Sequence, residues 1–247
     1  VEQPDLLQIR EVSVRFGGVT ALDGVSLSAA AGRVTGLIGP NGAGKTTLFN
    51  VISGIQPTQS GSVRFDGRDL RRVSPSGRSR AGIGRTFQRL EAFGSLTVRE
   101  NVLVAIEIRH GRRWMAAAAQ RAKADRLLDL VGIAEYGRQR ADAVPTGVAR
   151  LLEVARSLAT EPRLLLLDEP SSGLVEAETE RFGGLLRELA DEGRAIVLVE
   201  HDMDLVMSVC DHVHVLDFGR VIASGGPAEI HADPRVQQAY LGTLEVS

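Results

Sequence analysis

Cysteine is all but missing: Cys210 is the one cysteine in 247 residues. No internal disulfide can form, so a disulfide-stapled scaffold is excluded. A solitary cysteine in an apolar stretch reads as buried and inert. Charge of one sign is lacking too, since 29 Lys and Arg stand against 31 Asp and Glu, a formal net charge of −2. Most nucleic-acid binders carry a global basic field that this chain does not have, so nucleic acid is not an expected partner. No window approaches the roughly 18 uninterrupted apolar residues of a membrane span. The opening residues Val1, Glu2, Gln3, Pro4 and Asp5 show no signal-peptide pattern. No repeat or low-complexity tract is visible apart from the helix-favouring run Ala116 to Ala119. What is present is an apolar share of 43%, ample for a real core, and an excess of glycine at 27 residues. That excess points to places where backbone must approach a ligand closely. Together these features predict a globular, intracellular protein.

The apolar patterning predicts an α/β fold. Residues 7 to 16 and 33 to 38 are rich in Val, Ile and Leu, as strands are, and Val12, Val14 and Phe16 alternate so that one face is apolar. Residues 63 to 65 form another short strand candidate. From about 98 to 141, Arg, Ala and Leu at helical spacing take over. Beyond about 163 short apolar runs return. Leu164 to Leu167, Ile196 to Val199, Val213 to Leu216 and Val221 to Ala223 are strand candidates, the first two continuous as in strands buried on both faces. Between them Phe182, Leu185, Leu186 and Leu189 repeat at helical spacing, with Gly193 suited to the helix end. Alternating strands and helices of this kind build a largely parallel sheet, here interrupted by a helical middle third.

Residues 39 to 46, G-P-N-G-A-G-K-T, match the phosphate-loop pattern without a mismatch. The motif follows an apolar strand ending at Ile38 and precedes a helix from Thr46 to Ile52, the context it requires. Gly39, Gly42 and Gly44 let the backbone wrap so that successive N–H groups meet phosphate oxygens. Lys45 can reach the β- and γ-phosphates, and the Thr46 hydroxyl can ligate Mg²⁺. Asp168 and Glu169 follow Leu164–Leu167, which places two carboxylates at the C-terminal end of a buried strand, where ligands of open α/β sheets sit. In that position Asp168 supports Mg²⁺ through water and Glu169 polarises an attacking water. His201, just past the strand ending at Val199, can hydrogen-bond a γ-phosphate and orient water.

These elements, in this order, resemble the nucleotide-binding subunits of ATP-binding-cassette transporters. The likeness rests on the loop at 39–46, Gln88 in R-T-F-Q, L-L-L-L-D-E-P at 164–170 and His201 in V-E-H-D. Within that family the stretches E-H-D-M-D-L-V-M at 200–207 and D-P-R-V-Q-Q-A-Y-L-G at 233–242 are most similar to the ATPase subunits of branched-chain amino acid importers. Relatives that import urea or other amides, and the ATPase of lipopolysaccharide export, look similar. Soluble cassette ATPases acting on ribosomes or DNA fit less well. The translation type carries two cassettes per chain, and the repair type inserts a coiled coil longer than 89–158.

The resemblance implies one cassette domain over 1–247. Its α/β core is 1–88 and 159–247, with an antiparallel β part near the N-terminus and a helical subdomain at 89–158. It implies that Phe16 stacks on adenine. Gly39, Pro40, Asn41, Gly42, Ala43, Gly44, Lys45, Thr46 and Thr47 would cradle the phosphates of ATP. Thr46, Gln88 and Asp168 would serve Mg²⁺, and Glu169 and His201 the hydrolysis. It implies a head-to-tail pair with a second cassette ATPase and docking of Arg89 to Val98 on integral membrane permease subunits. An extracytoplasmic solute-binding protein would take part indirectly. The location implied is the cytoplasmic face of the cell membrane.

The sequence departs from the family at the signature segment, usually L-S-G-G-Q, where Val144, Pro145, Thr146, Gly147 and Val148 stand. Pro145 has neither a hydroxyl nor an N–H to offer a γ-phosphate. Thr146 has a hydroxyl, and Gly147 keeps its backbone N–H. Val175 also replaces a frequent Asp after Pro170. The basic stretch Arg109 to Arg126 reads as a solvated helical face. His212 and His214 would share one face of a strand, but no Cys, Asp or Glu cluster completes a metal set with them.

Overall fold

The computed structural model describes residues 5–87, 91–110 and 116–241. Strands β1 (Asp5–Phe16), β2 (Val19–Ala30), β4 (Ser60–Phe65) and β5 (Arg68–Asp69) form an antiparallel sheet in the order β2-β1-β4-β5. A second sheet runs β10-β9-β3-β8-β7-β6, from β3 (Val34–Ile38), β6 (Ile83–Arg85), β7 (Leu164–Asp168), β8 (Ala195–Val199), β9 (His212–Asp217) and β10 (Arg220–Gly225). It is parallel from β9 through β6, and β10 is an antiparallel edge. The strands expected from the apolar runs are all there.

Every residue of β3, β7 and β8 is buried, and side chains alternate between two cores. Leu164, Leu166, Val197 and Val199 face the core shared with β1, β2 and the helix α1 (Lys45–Ser53). Leu165, Leu167, Ile196 and Leu198 face the other core. There they meet α3 (Val98–His110), α4 (Ala117–Leu130), α5 (Thr146–Leu158), α6 (Glu176–Asp191) and α7 (Met203–Val209). Each such Leu or Ile contributes about 1.5–3 kcal/mol relative to exposure, which is why the runs show no polar alternation. Helix α6 buries Phe182, Leu185, Leu186 and Leu189, as their spacing predicts, and Gly193 follows it at φ 94°. Helix α2 (Pro75–Ala81) lies between β5 and β6, and α8 (Pro227–Ala232) and α9 (Pro234–Leu241) close the described chain.

Two local expectations need correction. Val12 and Val14 are fully buried, but Phe16 is 51% exposed. The β1–β2 pairing shifts register between Val14 and Arg15, so the alternation does not carry through to Phe16. Strand β2 has no counterpart in the strand reading, because its inward Leu22, Val25, Leu27 and Ala29 are diluted by Gly, Ser, Thr and Asp.

Candidate active site

Strand β3 ends at Ile38, and the loop that follows turns on Gly39 at φ 145°, a conformation almost confined to glycine. A Cβ on Gly39 would lie 1.9 Å from the backbone oxygen of Leu216 in β9, so only glycine fits there. Helix α1 begins at Lys45, which aims its first backbone N–H groups into the loop. The Lys45 side chain is buried, and its ammonium donates to the carbonyls of Gly39 (2.5 Å) and Pro40 (3.0 Å). Burial lowers its pKa, while Glu169 and Asp168 pull it back up, which places both carboxylates within electrostatic reach of the lysine. Asn41, Gly42 and Thr46 are exposed, and Pro40, Gly44 and Thr47 are half-buried, whereas Ala43 is buried beneath the loop.

Asp168 ends β7 with only 2% of its surface exposed. Its backbone N–H donates to the Thr86 hydroxyl (3.0 Å), and its Oδ2 has no hydrogen-bond donor. That oxygen lies 3.8 Å from the Arg85 guanidinium. Burial raises the Asp168 pKa, and Arg85 opposes the rise. Glu169 stands at φ 49°, unusual for a non-glycine residue. Its backbone N–H donates to Val199 O (2.9 Å), and its Oε1 lies 2.8 Å from Nε2 of His201. The C-terminal ends of β3, β7 and β8 thus gather Lys45, Asp168, Glu169 and His201.

Sequence reasoning missed Glu200 and Arg85. Glu200 is buried, accepting from the backbone N–H groups of Ser171 (2.8 Å) and His201 (3.2 Å), so it ties the turn after Glu169 to the end of β8. Its pKa is raised, chiefly by burial. The only sequence signal for it was a carboxylate directly before the histidine. Arg85 precedes Gln88 in R-T-F-Q, and nothing in a three-residue strand announces a buried cation.

The remaining expected residues are dispersed. Phe16 pairs with Val19 at the turn of the β1–β2 hairpin, and Ala21 and Leu22 of that hairpin crowd the position of Gly44. Gln88, with Arg89 and Leu90, lies outside the described residues. Gly147 is buried in the first turn of α5, where its neighbours are Gly173 and Leu174. Pro145 caps that helix without a side-chain hydrogen bond, and Thr146 is exposed. Away from the site, the Ser224 hydroxyl sits 2.9 Å from both His212 Nε2 and His214 Nδ1, so the histidine pair is joined through a serine. Among the described residues no group of three or more His, Cys, Asp or Glu could hold a metal ion. Cys210 is buried, and its thiol pKa is pushed up to about 12. Part of the basic stretch, residues 111–115, lies outside the described residues.

A glycine-turned loop between a buried parallel strand and a helix, with two carboxylates ending a neighbouring strand, defines a phosphate-loop nucleotide-binding protein. The family model described as ABC transporter matches residues 22–172, and one described as branched-chain amino acid ATP-binding cassette transporter matches 220–245. The chain belongs to the ABC transporter family of ATP-binding cassettes. It is 36% identical to the high-affinity branched-chain amino acid transport ATP-binding protein BraF of Pseudomonas aeruginosa, over 96% of this chain and 98% of that one. It is 38% identical to LivG of Salmonella typhimurium, which carries the same description, over 98% and 99%. Among solved structures, the ADP conformation of the ATP-binding cassette MJ1267 is similar. Its TM-score is 0.85 at 30% identity, covering 97% of this chain and all of that one.

Proposed function

We propose that this chain is the ATP-hydrolysing subunit of an importer for branched-chain or related amino acids. The observation that carries the importer reading is the likeness to the branched-chain amino acid transport proteins over nearly the whole chain. The 2.8 Å contact between Glu169 and His201, beside a phosphate loop whose lysine feels both carboxylates, supports hydrolysis. Lys45 now satisfies its ammonium on the loop's own carbonyls, and those donors can transfer to the β- and γ-phosphates of ATP without loss of hydrogen bonds. Glu169 takes the proton of a water that attacks the γ-phosphorus as the bond to the β-phosphate oxygen breaks. His201, held by Glu169 and by the Glu200–Ser171 link, orients the γ-phosphate. Phe16 presents an exposed ring for adenine to stack on.

The residues present suit Mg²⁺. Asp168 offers a buried oxygen without a donor, and Thr46 an exposed hydroxyl at a helix start. With Gln88 these would hold the ion, most of whose ligands would be phosphate oxygens and water, as Mg²⁺ prefers. Bound there, it would neutralise charge that develops on the phosphates.

Head-to-tail pairing with a second cassette ATPase would set the segment 144–148 opposite a partner's phosphate loop. No described helix is long and apolar enough to cross a membrane. Attachment to the cytoplasmic face would rest on permease subunits that meet Arg89–Val98. A groove of about 400 Å³ adjoins that segment, lined by Phe87, Glu91, Ile108 and Arg156 among others. The helical segment 89–158 would serve as the subdomain that carries this contact. Solute choice would rest with the permease and an extracytoplasmic binding protein.

Glu169→Gln tests the assignment. It should lower ATP turnover by about 10²–10⁴-fold while ATP still binds and a closed dimer accumulates. Turnover like that of the unmodified protein would overturn the catalytic role.

A further inference from the structure

We infer that Arg85 is a positioning residue for the metal-supporting carboxylate, holding Asp168 in register with the helix behind the phosphate loop. The proposal rests on reading Asp168 as part of the Mg²⁺ site.

Arg85 ends β6, the strand beside β7, and its side chain is only 6% exposed. One guanidinium nitrogen, Nη1, donates to Asn50 Oδ1 (2.7 Å) and to Ser53 Oγ (2.9 Å), both on α1. The other, Nη2, faces Asp168 Oδ2 at 3.8 Å. The guanidinium lies 4.8 Å from the ring centre of Phe87 and 5.6 Å from that of Phe49, so aromatic rings bound its position. A planar fork held by α1 at one end and facing the β7 carboxylate at the other sets the distance between them. A lysine, a point charge on a flexible stem, would not do this.

The 3.8 Å separation matters. It exceeds hydrogen-bond length, so Arg85 balances the buried charge without occupying Oδ2, which has no donor of its own. A carboxylate that is charge-compensated, held in direction and still free to accept is suited to a hydrated cation. Partners that orient a ligand in this way are typically worth about 10–100-fold in metal affinity.

The test uses the full chain with ADP and Mn²⁺ as the probe. Electron paramagnetic resonance reads the Mn²⁺ affinity, and ADP affinity is measured separately in chelator. Arg85→Met and the double variant Asn50→Ala/Ser53→Ala should each weaken Mn²⁺ binding by about 10–100-fold. Metal-free ADP affinity should stay within about twofold, since Arg85's hydrogen bonds reach α1 at Asn50 and Ser53, beyond the first turn that faces the phosphates. If Arg85→Met does not fold, the double variant, which leaves Arg85 in place, carries the test. An equal loss of metal-free ADP affinity would make Arg85 a general brace of the fold and overturn the proposal. So would unchanged Mn²⁺ affinity in a protein where Asp168→Asn lowers it. If Asp168→Asn itself leaves Mn²⁺ binding intact, the underlying reading of Asp168 fails, and the proposal falls with it.

Discussion

Adding one methyl group at either of two glycines in the same loop separates backbone strain from steric exclusion. Gly39 and Gly42 both have positive φ, 145° and 80°. At Gly42 a Cβ would meet nothing within 4 Å, so Gly42→Ala carries only the conformational cost of about 1–2 kcal/mol. At Gly39 the Cβ would meet Leu216 O at 1.9 Å. That oxygen is backbone in β9, whose Leu216 pairs with Val221 of β10, so it cannot rotate aside like a side chain. Either the strand shifts or the loop lifts, which adds about 1–3 kcal/mol of overpacking to the strain. At about 2–4 °C per kcal/mol for a chain of this size, Gly42→Ala should lower Tm by about 5 °C and Gly39→Ala by at least about twice that. Urea unfolding followed by circular dichroism gives both free energies on one scale. Equal destabilisation, or a smaller loss at Gly39, would refute the argument that the approach of Leu216 dictates glycine there.

Two further outcomes follow from named side chains. His214 is buried, and its pKa is lowered from 6.5 to about 4, chiefly by burial, with His212 adding to the shift and Ser28 O opposing it. The unfolded chain therefore takes up a proton that the folded chain refuses between pH 6.5 and about 4. Stability present above that window falls through it by up to about 3 kcal/mol, and His214→Phe should remove that part of the slope in urea titrations at pH 7.5 and 4.5. At the signature, Pro145 caps α5 with no side-chain donor. We expect this chain to pair with a sister cassette whose signature is better, the site served by Pro145 being the slower. Pro145→Ser should raise turnover at that site by up to about 10²-fold, and unchanged turnover of the assembled complex would refute the idea.

What sequence reading recovers here follows from how far apart the interacting residues lie. The phosphate loop is legible because its chemistry is local: glycine turns, a lysine and a hydroxyl sit within one short segment between strand and helix. The buried strands β3, β7 and β8 are legible because burial on both faces leaves an unbroken apolar run, with catalytic candidates placed just past the run's end. Phe16 escapes the alternation because a register shift is a property of the β1–β2 pair and cannot be seen in either strand alone. Glu200 and Arg85 escape for a related reason. Glu200 matters because it reaches Ser171 across the strand ends, and Arg85 because it spans from Asn50 and Ser53 to Asp168. Neither has a composition or spacing that differs from an ordinary surface charge. Both are buried charges whose cost only the folded arrangement offsets, Glu200 through backbone N–H groups and Arg85 through acceptors on α1 and the facing carboxylate. The candidate nucleotide-binding residues can thus be read from short motifs, and the buried charges packed beside them become visible only when the strands are laid side by side.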